Sequence, residues 1–236
     1  MELLGRYGFS IMMSQVDNKG RCRLSAMGDI LIHCACIHAQ DVGFGVDKLH
    51  STNVSWVLTA LSVKMDKMPH FLDDIFVETW MEKRIHSIVF RHFIVYDKDN
   101  NVIGGGTSYW TVIDMAKRAV TDFAKLDLES SARAGVSPIG RPKRVRPCND
   151  IFICQKEVVY ADIDTNRHMY SLKSVEHALD AFSQEEMSSL KLKRFDVVYH
   201  HELVWGEQYK VCRSAEGLTF TLYRSDDMPA VSVCFE

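Results

Sequence analysis

Residues 160–182 read YADIDTNRHMYSLKSVEHALDAF, and the rest of the chain is read outward from this stretch. Its first half is polar, with Asp162, Asp164, Asn166 and His168 at every second position. In its second half Leu172, Val175, Leu179 and Phe182 recur at steps of three or four, which places them on one face of an amphipathic helix. A strand pattern over 157–160 leads in. The order predicts a strand that hands over, through a polar cluster, to a buried helix. Asp164, Thr165 or Asn166 is placed to cap that helix. The unpaired N–H groups of a helix start favour developing negative charge, so an oxyanion could be stabilised here. An ordinary helix start also carries Asp, Thr or Asn, but it needs only one such side chain. Two carboxylates, an amide and an imidazole exceed that need. His168 lies four residues after Asp164, so the two face the same way if the helix starts early.

Working outward, 7–13 and 21–25 read as strand edges around a turn at Asp17-Asn18-Lys19-Gly20. A helix is expected over 28–42, capped by Asp29 and stopped by Gly43. Strand patterns follow at 54–65, 75–83, 88–96 and 107–115. The first of these is apolar on both faces, with Val57, Leu61 and Val63 opposed to Val54, Trp56 and Leu58, as in a central strand. Asp97 to Asn101 reads as a hairpin turn. After the 160–182 stretch, strands are expected at 194–204, 208–213, 218–224 and 230–235. The second half thus repeats the order of the first. Gly28-Asp29-Ile30 precedes Ala161-Asp162-Ile163 by the interval that also separates Asp74-Ile75-Phe76-Val77 from Glu207-Gln208-Tyr209-Lys210. A duplicated strand–helix–sheet unit accounts for this and implies an α+β fold with each helix buried on its own sheet. The expected domains are residues 1–125 and 151–236, joined by a linker over 126–150.

The wider segment 116–150 holds three of the five prolines and the run Gly140-Arg141-Pro142-Lys143-Arg144-Val145-Arg146-Pro147. Arg141, Lys143, Arg144 and Arg146 read either as a solvated linker face or as a docking patch for an acidic protein. Nucleic acid is set aside, because no aromatic residues interleave the charges.

Composition narrows the classes. The chain has 236 residues, 47% of them hydrophobic, and a net charge of −3. That allows proper cores and argues against a general polyanion binder. Seven cysteines, an odd number without framework spacing, suit a reducing compartment. No apolar run approaches the roughly 20 residues of a membrane helix. The opening MELLGRYGFS has neither a signal-peptide core nor a transit-like composition. The expectation is a soluble cytoplasmic protein with no membrane association.

Other clusters carry less. His33, Cys34, Cys36 and His38 invite a metal reading, but at about 100° per residue Cys34 and His38 share a face while His33 and Cys36 point elsewhere. No second ligand pair stands at zinc spacing, so neither a metal nor a cofactor is expected. Gly104-Gly105-Gly106 lacks the Lys-Ser/Thr of a phosphate loop and reads as a bulge or a close approach to a helix. No Gly-x-Ser-x-Gly elbow is present. Tyr199-His200-His201-Glu202 is expected on a strand, where Glu202 alternates with Val198 and Val204. A carboxylate there is paired, solvent-facing or functional.

The run Asp162-x-Asp164-x-Asn166-x-His168, followed by Lys173 and Leu179-Asp180, resembles the catalytic segment of acyl-acyl carrier protein thioesterases, the plant plastid enzymes and their bacterial relatives. The resemblance spans nearly the whole chain. Asn53-x-x-Trp56-Val57-x-Thr59, Asp66-x-x-Pro69, Thr79-Trp80 and Tyr109-Trp110 match the family's N-terminal landmarks, and Tyr199-x-x-Glu202 matches its tyrosine and catalytic glutamate. Two departures stand out. Met169-Tyr170-Ser171 replaces the family's Val-Asn-Asn run, and Leu203 replaces a frequent cysteine, which excludes a thiol nucleophile there. The resemblance implies a tandem hotdog, each half a long helix wrapped by an antiparallel sheet. It implies that the N-terminal domain holds the acyl chain, with Trp56, Met27 and Leu31 lining a tunnel, although each also reads as ordinary core. The C-terminal domain would be catalytic through Asp164, Asn166, His168 and Glu202.

The expected activity is hydrolysis of fatty acyl-acyl carrier protein thioesters, with the acidic carrier as partner. Glu202 with His168 could activate water, or Asp164 could attack directly. An acyl-CoA thioesterase, a hotdog hydroxyacyl dehydratase and a non-catalytic acyl-binding module are the rivals. The dehydratase is disfavoured by the lack of a His-Phe-Pro-type segment before a Pro-Gly helix start. The acyl chain length and the oligomeric state stay open: single hotdogs pair to build a site, a duplicated one can pair within its chain, and a homodimer is not excluded.

Overall fold

The computed structural model describes residues 4–82, 85–121, 132–135 and 137–236. The chain divides into two compact units, Met1–Pro142 and Lys143–Glu236. The division falls inside the expected linker. The expected domain limit at 125/126 and the Lys83 end of one expected strand lie outside the described residues.

In the first unit β1 (Gly5–Ser10) leads to α1 (Leu24–Asp41) and the short α2 (Val46–Ser51). Then come β2 (Val54–Met65), β3 (Asp74–Met81), β4 (Val89–Asp97), β5 (Val102–Asp114) and β6 (Ala119–Val120). The sheet order is β1-β3-β4-β5-β2, with β6 on β5, and the pairs are antiparallel. α1 packs on β3 and β2. It begins four residues before the expected start. Leu24, Ala26 and Met27 extend its buried face, and Arg23 ties the entry down by donating to the carbonyls of Ser14 and Val16. Asp29 therefore lies inside the helix rather than at its cap. Gly43 stops the helix with a φ of +83°, as expected. The three glycines sit in β5, and a Cβ on Gly106 would lie 2.5 Å from Leu31 Cδ1, so α1 approaches the sheet over bare backbone.

The second unit contains β7 (Ile151–Glu157), α3 (Ser171–Leu179), α4 (Gln184–Ser189), β8 (Arg194–Tyr199), β9 (Gln208–Arg213), β10 (Thr219–Arg224) and β11 (Pro229–Phe235). Its order is β8-β11-β10-β9-β7, again antiparallel. α3 lies on β10 and β11 and buries Leu172, Val175 and Ala178. Past its end, Phe182 meets Phe220 and Phe235 edge-on, at centroid distances of 4.9 and 5.7 Å. Each unit is a hotdog: one helix against one antiparallel sheet, α+β in class.

The segment expected to be a bare linker is laid onto its neighbours. Ser137 donates through Oγ to the Phe93 carbonyl at 3.0 Å, and Thr107 Oγ1 donates to the Gly140 carbonyl at 2.8 Å. Beyond the division, the Lys143 N–H donates to Asp196 Oδ1 and the Cys148 N–H to Thr221 Oγ1. All seven cysteines are free thiols. Among the described residues no helix is long and apolar enough to cross a membrane.

Candidate active site

The polar stretch folds differently from a helix cap. Strand β7 stops at Glu157, a single 3-10 turn covers Tyr160–Asp162, and α3 starts only at Ser171, with Tyr170 in the cap position and no side chain capping it. Between them residues 163–169 form a tight hairpin. Ile163 bridges Met169, and the Asp164 N–H donates to the His168 carbonyl at 2.9 Å. Asp164 Oδ1 accepts the N–H groups of Asn166 (2.8 Å) and His168 (3.2 Å). Asp164 thus organises a turn, as Asp does through local backbone bonds. The helix-cap expectation fails because the backbone satisfies this carboxylate seven residues before the helix begins.

The hairpin delivers His168. It bridges Val204, and the Met169 N–H donates to the Leu203 carbonyl at 2.7 Å. Glu202 is the residue before that anchor, so the two side chains meet: His168 Nε2 stands 3.3 Å from Glu202 Oε2. The expected strand over 194–204 ends at Tyr199, so Glu202 sits in an exposed loop rather than on a sheet face. Tyr199 donates its hydroxyl to the Ser171 carbonyl at 3.0 Å and so ties β8 to the start of α3. Asp164, Asn166, His168 and Glu202 thereby share one corner of the second unit. Asp162, which the alternation places with them, instead turns inward. It is 4% exposed, and its carboxylate accepts the Val159 N–H and pairs with His177. At about 100° per residue His177 falls off the face of Leu172 and Val175, so helical spacing carried no signal for that contact.

Two family models cover most of the chain. The acyl-ACP thioesterase N-terminal domain matches residues 5–126, and the C-terminal domain matches 147–225. The chain belongs to the acyl-ACP thioesterase family. An acyl-ACP thioesterase from Bacteroides thetaiotaomicron has the same fold at a TM-score of 0.90 and 28% identity, covering 99% of this chain and 98% of that one. A 12:0-ACP thioesterase from Umbellularia californica matches in fold at a TM-score of 0.87 and 18% identity, over 100% and 97%. The oleoyl-acyl carrier protein thioesterase 2 of Arabidopsis thaliana, a chloroplastic protein, is 24% identical over 82% of this chain and 58% of its own length. The chain therefore spans less than two thirds of the curated relatives it matches.

Within this thioesterase-family chain the first unit holds a second copy of the site hairpin. Asp17 Oδ1 accepts the N–H groups of Lys19 (2.8 Å) and Arg21 (3.0 Å), as Asp164 does for Asn166 and His168. Val16 bridges Cys22, Arg21 bridges His70, and the Cys22 N–H donates to the Pro69 carbonyl at 2.8 Å. Gly20 and Arg167 hold the same left-handed position, at φ +72° and +67°. The copies differ in chemistry: Arg21 stands where the second unit has His168, Lys19 where it has Asn166, and Met68 where it has Glu202. Arg21 folds back onto Asp17, with Nη2 2.9 Å from Oδ2. The match also corrects the repeat register read from the letters. Val16–Cys22 corresponds to Ile163–Met169, and Ile75 in β3 corresponds to Tyr209 in β9, because Ile75 pairs with Phe9 as Tyr209 pairs with Lys156.

The remaining expected residues are placed as follows. Met27 and Leu31 are wholly buried in the first unit, and Leu31 packs over Gly106. Trp56 is half-buried and donates Nε1–H to the Phe44 carbonyl at 3.1 Å. Arg141 pairs with Glu82 and lies 4.1 Å from the Phe90 ring centre, and Lys143 pairs with Glu236. Arg144 and Arg146 are exposed. Cys34 is buried and Cys36 exposed, and among the described residues no three His, Cys, Asp or Glu side chains converge as a metal site.

Proposed function

We propose that this chain hydrolyses fatty acyl thioesters carried on acyl carrier protein, releasing the free fatty acid and ending chain elongation in a reducing, cytoplasmic setting. The observation that carries the reading is the His168–Glu202 pair, built by a hairpin whose copy in the first unit has Arg21 and Met68 instead. The same fold without the pair is what a purely structural role would leave.

The chemistry follows from the groups. Glu202, oriented by His168, takes a proton from water as the water oxygen bonds to the thioester carbon. The Asn166 amide is offered as a donor to the oxyanion that forms. Collapse breaks the C–S bond, and the proton passes from Glu202 through His168 to the departing thiolate. Water attack is favoured over Asp164 as nucleophile, since Asp164 Oδ1 is committed to two backbone N–H groups and Asp17 does the same work beside no imidazole. The first unit is assigned the acyl chain, with Trp56, Met27 and Leu31 as candidate lining residues, and Arg144 and Arg146 are assigned to the acidic carrier.

Thiol release from acyl-carrier-protein and acyl-CoA substrates tests the reading. His168→Ala and Glu202→Gln are expected to lower kcat by about 10²–10⁴ while staying folded. Wild-type turnover in both folded variants would end the assignment. Arg144→Glu with Arg146→Glu is expected to raise KM for the carrier-bound substrate, more at low salt, and to leave the CoA substrate unaffected.

A further inference from the structure

Beneath the site hairpin, three polar side chains form a buried chain in the second unit. The Tyr209 hydroxyl donates to His177 Nδ1, and His177 Nε2 stands 3.3 Å from Asp162 Oδ1. The phenol and imidazole planes are stacked, 4° apart. The far end of the chain meets the hairpin. Asp162 Oδ2 accepts the Val159 N–H at 3.0 Å, the Asp162 carbonyl accepts the Tyr170 N–H at 2.7 Å, and Asp162 is two residues before Asp164. The three groups come from the 3-10 turn, α3 and β9, so the chain joins the base of the hairpin to the helix and the sheet.

Burying a carboxylate, an imidazole and a phenol is costly unless each is bonded, and apolar side chains are the simpler solution for a core. The first unit uses that solution. Gln15 occupies the place of Asp162 and accepts the Met12 N–H through Oε1 at 2.8 Å, as Asp162 does for Val159. Ile30 on α1 and Ile75 on β3 occupy the places of His177 and Tyr209, and both are buried. The same backbone is thus held by an amide and two isoleucines where the hairpin carries Arg21 and no glutamate partner. Of the two hairpins, the one that carries the His168–Glu202 pair is the one with the polar chain beneath it, among the described residues.

We propose that Asp162, His177 and Tyr209 are positioning residues, which fix the base of the 163–169 hairpin so that His168 meets Glu202. The inference rests on the hydrolase reading of that pair. Burial holds the His177 imidazole below its ordinary value, with Lys156 acting in the same direction, and raises the Tyr209 phenol above its own. A neutral imidazole with Nδ1 accepting and Nε2–H donating fits both neighbours.

Tyr209→Phe removes only the hydroxyl and is the primary test. A displaced hairpin misplaces the base, so kcat is expected to fall roughly 10- to 100-fold with KM unchanged and the melting temperature held. The second variant, Asp162→Gln with His177→Ile and Tyr209→Ile, imports the first unit's residues and is expected to lose at least as much turnover. The His168 ring resonances, followed by NMR in the full chain, are expected to move in Tyr209→Phe although the substitution lies outside the site. Wild-type kcat together with unmoved His168 resonances in Tyr209→Phe would overturn the proposal, and so would loss of the fold in that variant, since the phenol would then serve stability alone. If the wild-type protein hydrolyses no acyl thioester, the hydrolase reading falls and the His168 resonances still decide whether the chain positions the hairpin.

Discussion

The two hairpins separate what a residue does for the backbone from what it does for chemistry. Asp17 and Asp164 accept the same two N–H groups at nearly the same distances, so that task belongs to the turn. His168 and Glu202 have no such counterpart, since Arg21 and Met68 stand in their places. Asp164→Asn keeps an oxygen that can accept both N–H groups. It is expected to fold and to retain far more activity than His168→Ala, with a loss of about 10-fold or less from weaker neutral acceptors. If Asp164 were the nucleophile, Asn would abolish turnover instead. Single-turnover hydrolysis in 18O-water separates the routes, because label entering an aspartate side chain would mark the anhydride route. The site was partly legible at this scale. The alternation of Asp164, Asn166 and His168 marked residues that the structure gathers with Glu202 at one corner of the second unit. Asp162 was not separable from them in the letters, because a turn breaks the alternation that a strand would have kept.

At the scale of elements, periodicity was a good guide where one face is buried and a poor one where backbone bonds decide. β2 and β9 lie where alternation and apolar runs put them, at Val54–Met65 and Gln208–Arg213. The start of α1, the capping residue of α3 and the end of β8 were misplaced. Each is set by a loop carbonyl or a bridge, such as Arg23 on Ser14 and Val16 or His168 on Val204, which are contacts that hydrophobic periodicity does not encode. The glycines of β5 were legible as a close approach, and the approach has a consequence. A methyl at Gly106 would meet Leu31 Cδ1 at 2.5 Å and the Ser62 carbonyl oxygen at 3.0 Å, and Leu31 is wholly buried. Gly106→Ala is therefore expected to lift α1 from its sheet and cost about 1–3 kcal/mol, read as a lower denaturant midpoint at unchanged slope. A stability equal to wild type would mean that the helix yields freely.

Taken as a whole molecule, the protein buries more imidazole than its modest net charge suggests. The duplication was legible as a repeat of order, but its register was not, because the units share bonding patterns more than letters. Titration adds a property of the whole that no single motif carries. His92 is fully buried, accepts the Ser137 N–H at Nδ1 (3.2 Å) and meets Glu82 through Nε2 (2.9 Å), an arrangement that needs an unprotonated Nδ1. Burial holds His92, His177 and His200 below the ordinary imidazole value, although Glu82 beside His92 and Asp162 beside His177 pull the other way. The unfolded chain takes up these protons near pH 6.5, whereas the folded chain takes them up only at lower pH. The stability they contribute is full above that value and is lost as pH falls through it toward the folded values, by at most about 1.4 kcal/mol per pH unit for each imidazole. Asp17, held low by burial-opposed bonds to the Arg21 and Lys19 N–H groups and the Arg21 guanidinium, contributes its own loss only in the carboxylate range below. Unfolding free energy is thus expected to drop between about pH 7 and pH 5 through these imidazoles. Denaturant titrations across that interval measure it. A flat profile would mean that these imidazoles titrate alike in both states, and His92→Gln, which takes up no proton, should reduce the slope by one imidazole's share.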